Sequence, residues 1–473
     1  PQRGADVQLS IDLDVQRAAE ESLARRILAA RNEEVEAPGG AVVVLDASDG
    51  SVVAMASFPT FDPSGFVHGI RTDVWEQLNA PESHLPLNNR AIQGLYPPAS
   101  TFKIVTGTAG VTTGLRTVDT TIVDRGAVEI GDRLFRNAGQ KSHGVVDLRR
   151  AITVSSDVYF YQLAAEINSL PKPADEEIQR VARLFGFDEP TGIELPFEQG
   201  GRVPDRAWKR GVNEANPAAF PEGNWFTGDT VNMAIGQGDL LATPLQITNA
   251  YAALANGGDV HRPHLGARVI DRFGSVVREI TPEVEGEVTP LKEHAQIRAA
   301  LLQGMRGAVA HEDGTAYSAF RGWSGPPVAG KTGTAQVGLA SQAKIDTSLF
   351  VGLFPADQPR YVVGALAEQA GAGSAVAAPI VRDVMANIHE TENDPTLPAI
   401  GTLLAPSAFV PDPCVAEPGT TTTTAPDATT TTVIGAVPVK CPGSTTTTAS
   451  PVDPTEPARP PEESAAATTQ ASP

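Results

Sequence analysis

Three short polar clusters interrupt otherwise apolar stretches of this chain: Ser100-Thr101-Phe102-Lys103, Ser155-Ser156-Asp157 and Lys331-Thr332-Gly333. On a helix, residues three apart share a face, so the Ser100 hydroxyl and the Lys103 amine can touch. A serine hydroxyl attacks poorly until a base takes its proton, and a neutral lysine amine one turn away can be that base. Burial and a neighbouring cation lower a lysine pKa, and Lys331 would supply the cation. Ser155 could relay a proton between Lys103 and a leaving amine. A tetrahedral oxyanion needs preorganised donors, worth about 3 to 4 kcal/mol each, and the backbone N–H groups of Ser100 and Thr334 are the candidates. In AGKTGTAQ, Gly330 and Gly333 let another backbone approach closely, and a strand with an open edge could pair with an extended peptide. Lys331, Thr332 and Thr334 would then offer charge and hydroxyls to a terminal carboxylate. Each cluster alone reads equally well as a capped helix or a surface turn. Together, in this order, they point to acyl transfer through a serine ester.

The elements around them follow from spacing and turn chemistry. Gln8-Leu9-Ser10-Ile11 reads as a short strand, and Asp12 or Asp14 can cap a helix through VQRAAEESLARRILAAR that ends at Pro38-Gly39-Gly40. AVVVLDASDGSVVAMAS is two β-branched runs around Asp46-Ala47-Ser48-Asp49-Gly50, a hairpin. An irregular stretch from Phe58 to Leu95 leads to YPPASTFKIV, where Pro97 and Pro98 resist helix and fix where the next helix starts. Residues 147–170 have helical spacing broken at Ser155-Ser156-Asp157. A helix over 176–186 is followed by Gly- and Pro-dense loops to about 230. Pro244–Asn256 is an amphipathic helix ended by Gly257-Gly258, and 291–310 is another. VAGKTGTAQV, SLFVGLF and RYVVGALAEQ read as strands, and APIVRDVMANIHE as a closing helix. The whole predicts an α+β domain, an antiparallel sheet flanked by helices, over residues 1–395 with the lead-in strand and helix in 1–40.

Bulk properties bound the function. The chain has 473 residues and a net charge of −20 with no offsetting basic block, which argues against a nucleic-acid partner. No apolar run approaches the length of a membrane span. The first residue is Pro1, which reads as a processed or truncated piece with an anchor expected upstream. His261 and His264 in HRPH read as a loop, and the globular part has no cysteine, so neither metal nor cofactor is called for. From 396 to 473 threonine runs and prolines take over, and this tail is read as chiefly disordered. Cys414 and Cys441 lie in it, either bridged across the first two threonine runs or as two free thiols.

S-x-x-K, S-x-D and K-T-G in this order make the chain similar to the penicillin-binding proteins and serine β-lactamases. More narrowly, it resembles the transpeptidase domain of class B penicillin-binding proteins of the elongation (cell-shape) type. The match runs from about residue 5 to 392. It includes QLSIDLDVQRAAE, GGAVVVLDASDGSVVAMASFPTFDP, LNNRAIQGLYPPASTFK, FGFDEPTGIELP, GDTVNMAIGQGDLLATPLQ, AGKTGTAQ and AAPIVRDVM. The resemblance implies a penicillin-binding transpeptidase fold, with Ser100 as the acylated nucleophile and Lys103 as its general base. Ser155 and Asp157 form the second motif, and Lys331, Thr332 and Gly333 the third. It implies cross-linking of peptidoglycan stem peptides, acylation by β-lactams, and a membrane polymerase of the shape, elongation, division and sporulation class as partner. The place implied is the extracytoplasmic face of the cell membrane. A D,D-carboxypeptidase, a division-type transpeptidase and a non-enzymatic β-lactam sensor remain alternatives. Asp157 stands where many relatives carry asparagine. It accepts but cannot donate hydrogen bonds, and is expected to hold Lys103 while keeping its pKa high. Ala99 stands where glycine is frequent. A serine β-lactamase would need a deacylating glutamate in an E-x-x-L-N pattern; none follows the second motif, and Glu166, eleven residues beyond Ser155 on what reads as the same helix, is a poor candidate.

Overall fold

The computed structural model describes residues 4–67, 69–271, 273–336, 345–396 and 400, with the backbone of 418–424 and 430–436. Helix α1, Leu13–Asn32, starts where expected: the Asp12 side chain accepts from the backbone N–H of Asp14 and Val15. The two β-branched runs that follow fold into strands β1, Gly40–Asp46, and β2, Val52–Phe58. Helix α2 is Lys103–Thr112. The polar interruption at 155–157 separates α3, Leu148–Val154, from α4, Asp157–Asn168. Helix α5, Pro244–Asn256, has Thr243 and Gln246 as a reciprocal capping box and Gly257 as its left-handed stop. Helix α6, Ala295–Ala310, precedes strands β3, Ala329–Ala335, β4, Thr347–Phe354, and β5, Tyr361–Ala367, and α7, Ala377–Asn393, closes the unit.

The five strands form one antiparallel sheet in the spatial order β3-β4-β5-β1-β2, so the early hairpin joins the late strands through the pairing of Val363 with Val44. Side chains alternate between two cores. Val42, Val44, Phe350 and Val363 face α1 and α7, while Val43, Leu45, Val351 and Val362 face α5 and the helices around α2. Each such side chain contributes about 1.5 to 3 kcal/mol on burial. This is the antiparallel sheet flanked by helices that the α+β reading expects. Strand β3 is an edge: it pairs with β4 on one side and with no strand on the other among the described residues.

Helices also lie in stretches read as irregular. Thr72–Asn79 falls within 58–95, and Arg206–Ala215 within the Gly- and Pro-dense loops, where Asp205 caps it by accepting from Trp208 N–H. The chain divides into two units, 1–406 and 407–473. The first reaches past residue 395, since Ile400 is buried and Arg360 donates to its carbonyl at 3.2 Å. In the second, the threonine runs form a backbone hairpin, Pro418–Thr424 with Thr430–Ala436, as β-branched residues favour. The rest of the 396–473 stretch, Cys414 and Cys441 included, lies outside the described residues.

Candidate active site

Ser100 sits on a single tight turn, Ala99–Phe102, that runs straight into α2 at Lys103. The turn is held from behind. Ala99 has φ +49°, a left-handed conformation that costs a non-glycine residue about 1 to 2 kcal/mol. Its N–H donates to the Gly236 carbonyl at 2.8 Å. A Cβ on Gly236 would lie 2.0 Å from the Ala99 carbonyl oxygen, so only glycine lets this loop press on the Ser100 turn. The next residue, Gln237, donates from Nε2 to the Thr334 carbonyl at 3.2 Å, tying the same loop to β3. On the other side, Tyr251 of α5 donates to the Thr101 carbonyl at 2.8 Å.

Lys103 and Lys331 are both fully buried beneath the cleft. Lys103 Nζ donates to Asp157 Oδ1 at 2.7 Å, to the Ser155 carbonyl at 2.9 Å and to Ser155 Oγ at 3.0 Å. Lys331 Nζ donates to Ser155 Oγ at 2.9 Å and to the Thr332 carbonyl at 3.0 Å. One hydroxyl therefore joins the two amines. Ser155 can occupy this junction because it is the left-handed stop of α3, with φ +55°, which turns it out of the helix. The expected Ser100–Lys103 hydrogen bond is not formed, and among the described residues none reaches the Ser100 hydroxyl. The Lys103 ammonium has all three donors committed elsewhere.

Burial pulls the Lys103 amine below the usual lysine range, with Asp157 and then Asp124 pulling the other way. Burial, reinforced by the Lys103 cation, pushes Lys331 further down. The expectation that Asp157 keeps the Lys103 pKa high is thus corrected: the carboxylate opposes a larger desolvation effect without cancelling it.

Ser100, Ser155, Asp157, Thr332 and Thr334 line one cleft of about 1230 Å³, with the lysines below its floor. Thr332 Oγ1 donates to Thr315 Oγ1 at 2.8 Å. A Cβ on Gly333 would meet Pro98 O at 3.2 Å and Thr101 Cγ2 at 3.1 Å, so Gly333 admits the Ser100 turn against β3 as expected. Gly330 instead makes room for the Phe350 ring, 2.2 Å from its would-be Cβ, rather than for backbone. Glu166 is paired with Arg116 at 2.6 Å, away from this cluster.

Sequence reading passed over the support. Asp124, fully buried, accepts from Asn137 Nδ2 at 2.8 Å and from Ser156 Oγ at 2.6 Å. Asn137 Oδ1 accepts from Val158 N–H at the start of α4, and Ala138 N–H donates to Asp157 Oδ2 at 3.3 Å. Their only signal was that of polar residues in loops. Gly236 and Gln237 lie in GDTVNMAIGQGDLLATPLQ, where no property of the sequence gives them a role.

The penicillin binding protein transpeptidase domain family matches residues 40–386. The chain is 36% identical over 397 residues to the peptidoglycan D,D-transpeptidase MrdA of Haemophilus influenzae, covering 81% of this chain and 56% of that protein. It thus spans little more than half the length of that relative. In structure it is similar to Pseudomonas aeruginosa PBP2 solved in complex with WCK 5153, with TM-score 0.66, 33% identity, and 81% and 79% of the two chains covered. A chain of a peptidoglycan synthase complex, solved to examine how polymerization and crosslinking are coordinated, aligns with TM-score 0.69 and 35% identity, covering 82% of this chain and 63% of that one.

Proposed function

The chain belongs to the penicillin-binding protein transpeptidase family, in its elongation type, and on that premise we propose that it cross-links peptidoglycan stem peptides through an acyl-enzyme on Ser100. The observation that carries this reading is the junction at Ser155: two buried amines, one beside a carboxylate, share a single hydroxyl at the floor of the cleft that Ser100 lines.

Lys103 must be neutral to accept the Ser100 proton, and burial favours that form. Lys331 is depressed further, so of the two amines Lys103, beside Asp157, holds its proton the more tightly. Ser155 Oγ offers the way across: it takes a proton from Lys103 and passes its own to Lys331. A substrate carboxylate held by Lys331, Thr332 and Thr334 would stabilise the charged Lys331 and draw the transfer forward. Neutral Lys103 then keeps two donors, for Asp157 and Ser155, and turns its lone pair to Ser100.

Ser100 Oγ attacks the penultimate D-alanine carbonyl while its proton moves to Lys103. The backbone N–H groups of Ser100 and Thr334 hold the oxyanion. The C–N bond to the terminal D-alanine breaks as a proton returns through Ser155 to the leaving amine. An amine from a neighbouring stem then attacks the ester, and Ser100 Oγ regains its proton. The open edge of β3 suits an extended peptide. β-Lactams would acylate the same oxygen.

No helix among the described residues is long and apolar enough to cross a membrane. The reading places the domain on the outer face of the cell membrane, anchored upstream and working beside a membrane polymerase. The similarity to a chain of a synthase complex supports that partner class. Labelling with a fluorescent penicillin tests the chemistry: wild type carries one adduct on Ser100, and Ser100→Ala carries none. Labelling that survives the substitution would sink the mechanism. With a D-alanyl-D-alanine peptide and an acceptor amine, a dimeric product supports transpeptidation, and a hydrolysed product alone supports the carboxypeptidase.

A further inference from the structure

One wall of the cleft is basic in a chain whose net charge is −20. It is built from the hairpin Ala127–Ile130 with Arg133–Arg136 and from the segment that follows, so that Arg133, Arg136 and Lys141 all line the cleft that Ser100 enters. All three are exposed, and among the described residues none makes an ion pair or a side-chain hydrogen bond. Arg150, on the same cleft, differs: it is paired with Asp313. Asp157 is committed to Lys103, which leaves Glu312 and Asp346 as the other acidic groups lining the cleft.

The backbone of the wall is held in place, although among the described residues its cations have no ionic partner. Phe135 is buried between the two arginines in sequence and packs on Tyr161 of α4 with ring centroids 5.1 Å apart. The Arg133 guanidinium lies 5.1 Å from the Phe135 ring centroid, which restrains its swing. Asn137 fixes the following loop by bonding to Asp124, to Val158 N–H and to the Lys141 carbonyl at 2.7 Å. A continuous line of contacts runs from β3 across the cleft floor, Lys331 to Ser155 to Lys103 to Asp157 to Ala138, and ends at this wall. A peptide with its scissile carbonyl at Ser100 and its terminal carboxylate at Thr332 and Thr334, above Lys331, therefore meets the basic wall across the cleft floor.

We propose that Arg133, Arg136 and Lys141 form a subsite for a second carboxylate of the peptide substrates, carried on a side chain rather than at the C-terminus. It would favour an anionic stem over its amidated counterpart. Guanidinium groups match a carboxylate in two-point geometry, and a wall already held in place loses little freedom on binding. This inference rests on the acyl-enzyme reading above and extends it to substrate choice.

The test uses the full chain and pairs of probes. In the donor arm, kcat/KM for acylation is measured with a D-alanyl-D-alanine peptide bearing a side-chain carboxylate and with its carboxamide twin. In the acceptor arm, aminolysis of the acyl-enzyme is measured with a diamino dicarboxylate and with its amide. Wild type should prefer the carboxylate by about tenfold in at least one arm, equivalent to about 1.4 kcal/mol. The preference should shrink as salt rises from about 0.05 to about 0.5 M, because exposed charges are screened. In the triple variant Arg133→Gln, Arg136→Gln, Lys141→Gln, normalised to penicillin labelling of the same preparation, the ratio should fall towards one. The arm in which it falls identifies the donor or the acceptor as the source of the carboxylate. No wild-type preference in either arm, or a preference that the triple variant retains, overturns the subsite alone. A wild type that neither penicillin nor peptide acylates overturns the Ser100 reading and this inference with it. The wild-type preference and its salt dependence need no variant, so a poorly folding substitution does not decide the matter.

Discussion

Asp157→Asn isolates the electrostatic part of the site. Asp157 Oδ1 lies 2.7 Å from Lys103 Nζ, and its side chain is only 12% exposed. At an effective dielectric of about 20, two unit charges at that distance attract by about 6 kcal/mol, an upper bound of roughly 4 pK units. Partial solvent access and the amide oxygen that asparagine retains reduce this to the 1 to 3 units typical of a neighbouring opposite charge, roughly. The sign is fixed by the charge removed. A carboxylate favours the ammonium form, so without it the Lys103 pKa falls further and the neutral base persists to lower pH. The acid limb of the acylation rate should therefore move down by about 1 to 3 pH units. The plateau should fall as well. If the new amide turns its oxygen to Lys103, its NH2 meets the Ala138 N–H, which now donates to Asp157 Oδ2. That lost bond is worth about 1 kcal/mol, or several-fold in rate if it loosens the lysine. The assay is the second-order rate of fluorescent-penicillin labelling across the pH range in which both proteins stay folded. An acid limb that stays in place or moves up refutes the role given to Asp157.

Gly236→Ala should lower the labelling rate by about a hundredfold while the melting transition survives, because the new Cβ collides with the Ala99 backbone and moves Ser100 by a fraction of its reach. A rate within about threefold of wild type would show that the loop does not position the turn. Asp124→Ala leaves the buried donors of Asn137, Ser156 and Gly126 without their acceptor, and should cost roughly 3 kcal/mol or more in chemical denaturation. Asp124→Asn keeps one acceptor and should recover part of both stability and labelling rate. Equal stability of wild type and Asp124→Ala would remove Asp124 from the support of the second motif.

The fold was legible where one local rule acted alone. The capped helix after Asp12, the hairpin around Asp46-Ala47-Ser48-Asp49-Gly50, the helix break at 155–157 and the Gly257 stop all stand as read. Among the helices that escaped, Thr72–Asn79 and Arg206–Ala215 bury no residue, and apolar spacing is the signal that sequence reading relies on. The sheet order escaped for a different reason. Pairing β5 with β1 joins residues more than 300 positions apart, and no local property of either strand names its partner.

At the site, the residues read from sequence are the ones whose chemistry is unusual for their setting: a serine ahead of a buried lysine, and a second lysine in a strand. What escaped is what makes that setting hold. Two lysines beside one aspartate carry an uncompensated positive charge when both are protonated, and burial makes that state expensive. The molecule answers with geometry rather than with another charge at the amines. Ser155 is turned out of α3 to receive both, while Asp124 holds the Ser156 hydroxyl and Asn137 the Val158 N–H on either side of Asp157. Asp124 and Asn137 are common loop residues in sequence, and Gly236 is one glycine among 44. Their roles exist only through contacts made across the chain, Gly236 with Ala99 and Asp124 with Ser156. The same reasoning applies to Arg133, Arg136 and Lys141: three surface cations in sequence become a wall only because Phe135 and Asn137 pin their backbone to the edge of the cleft.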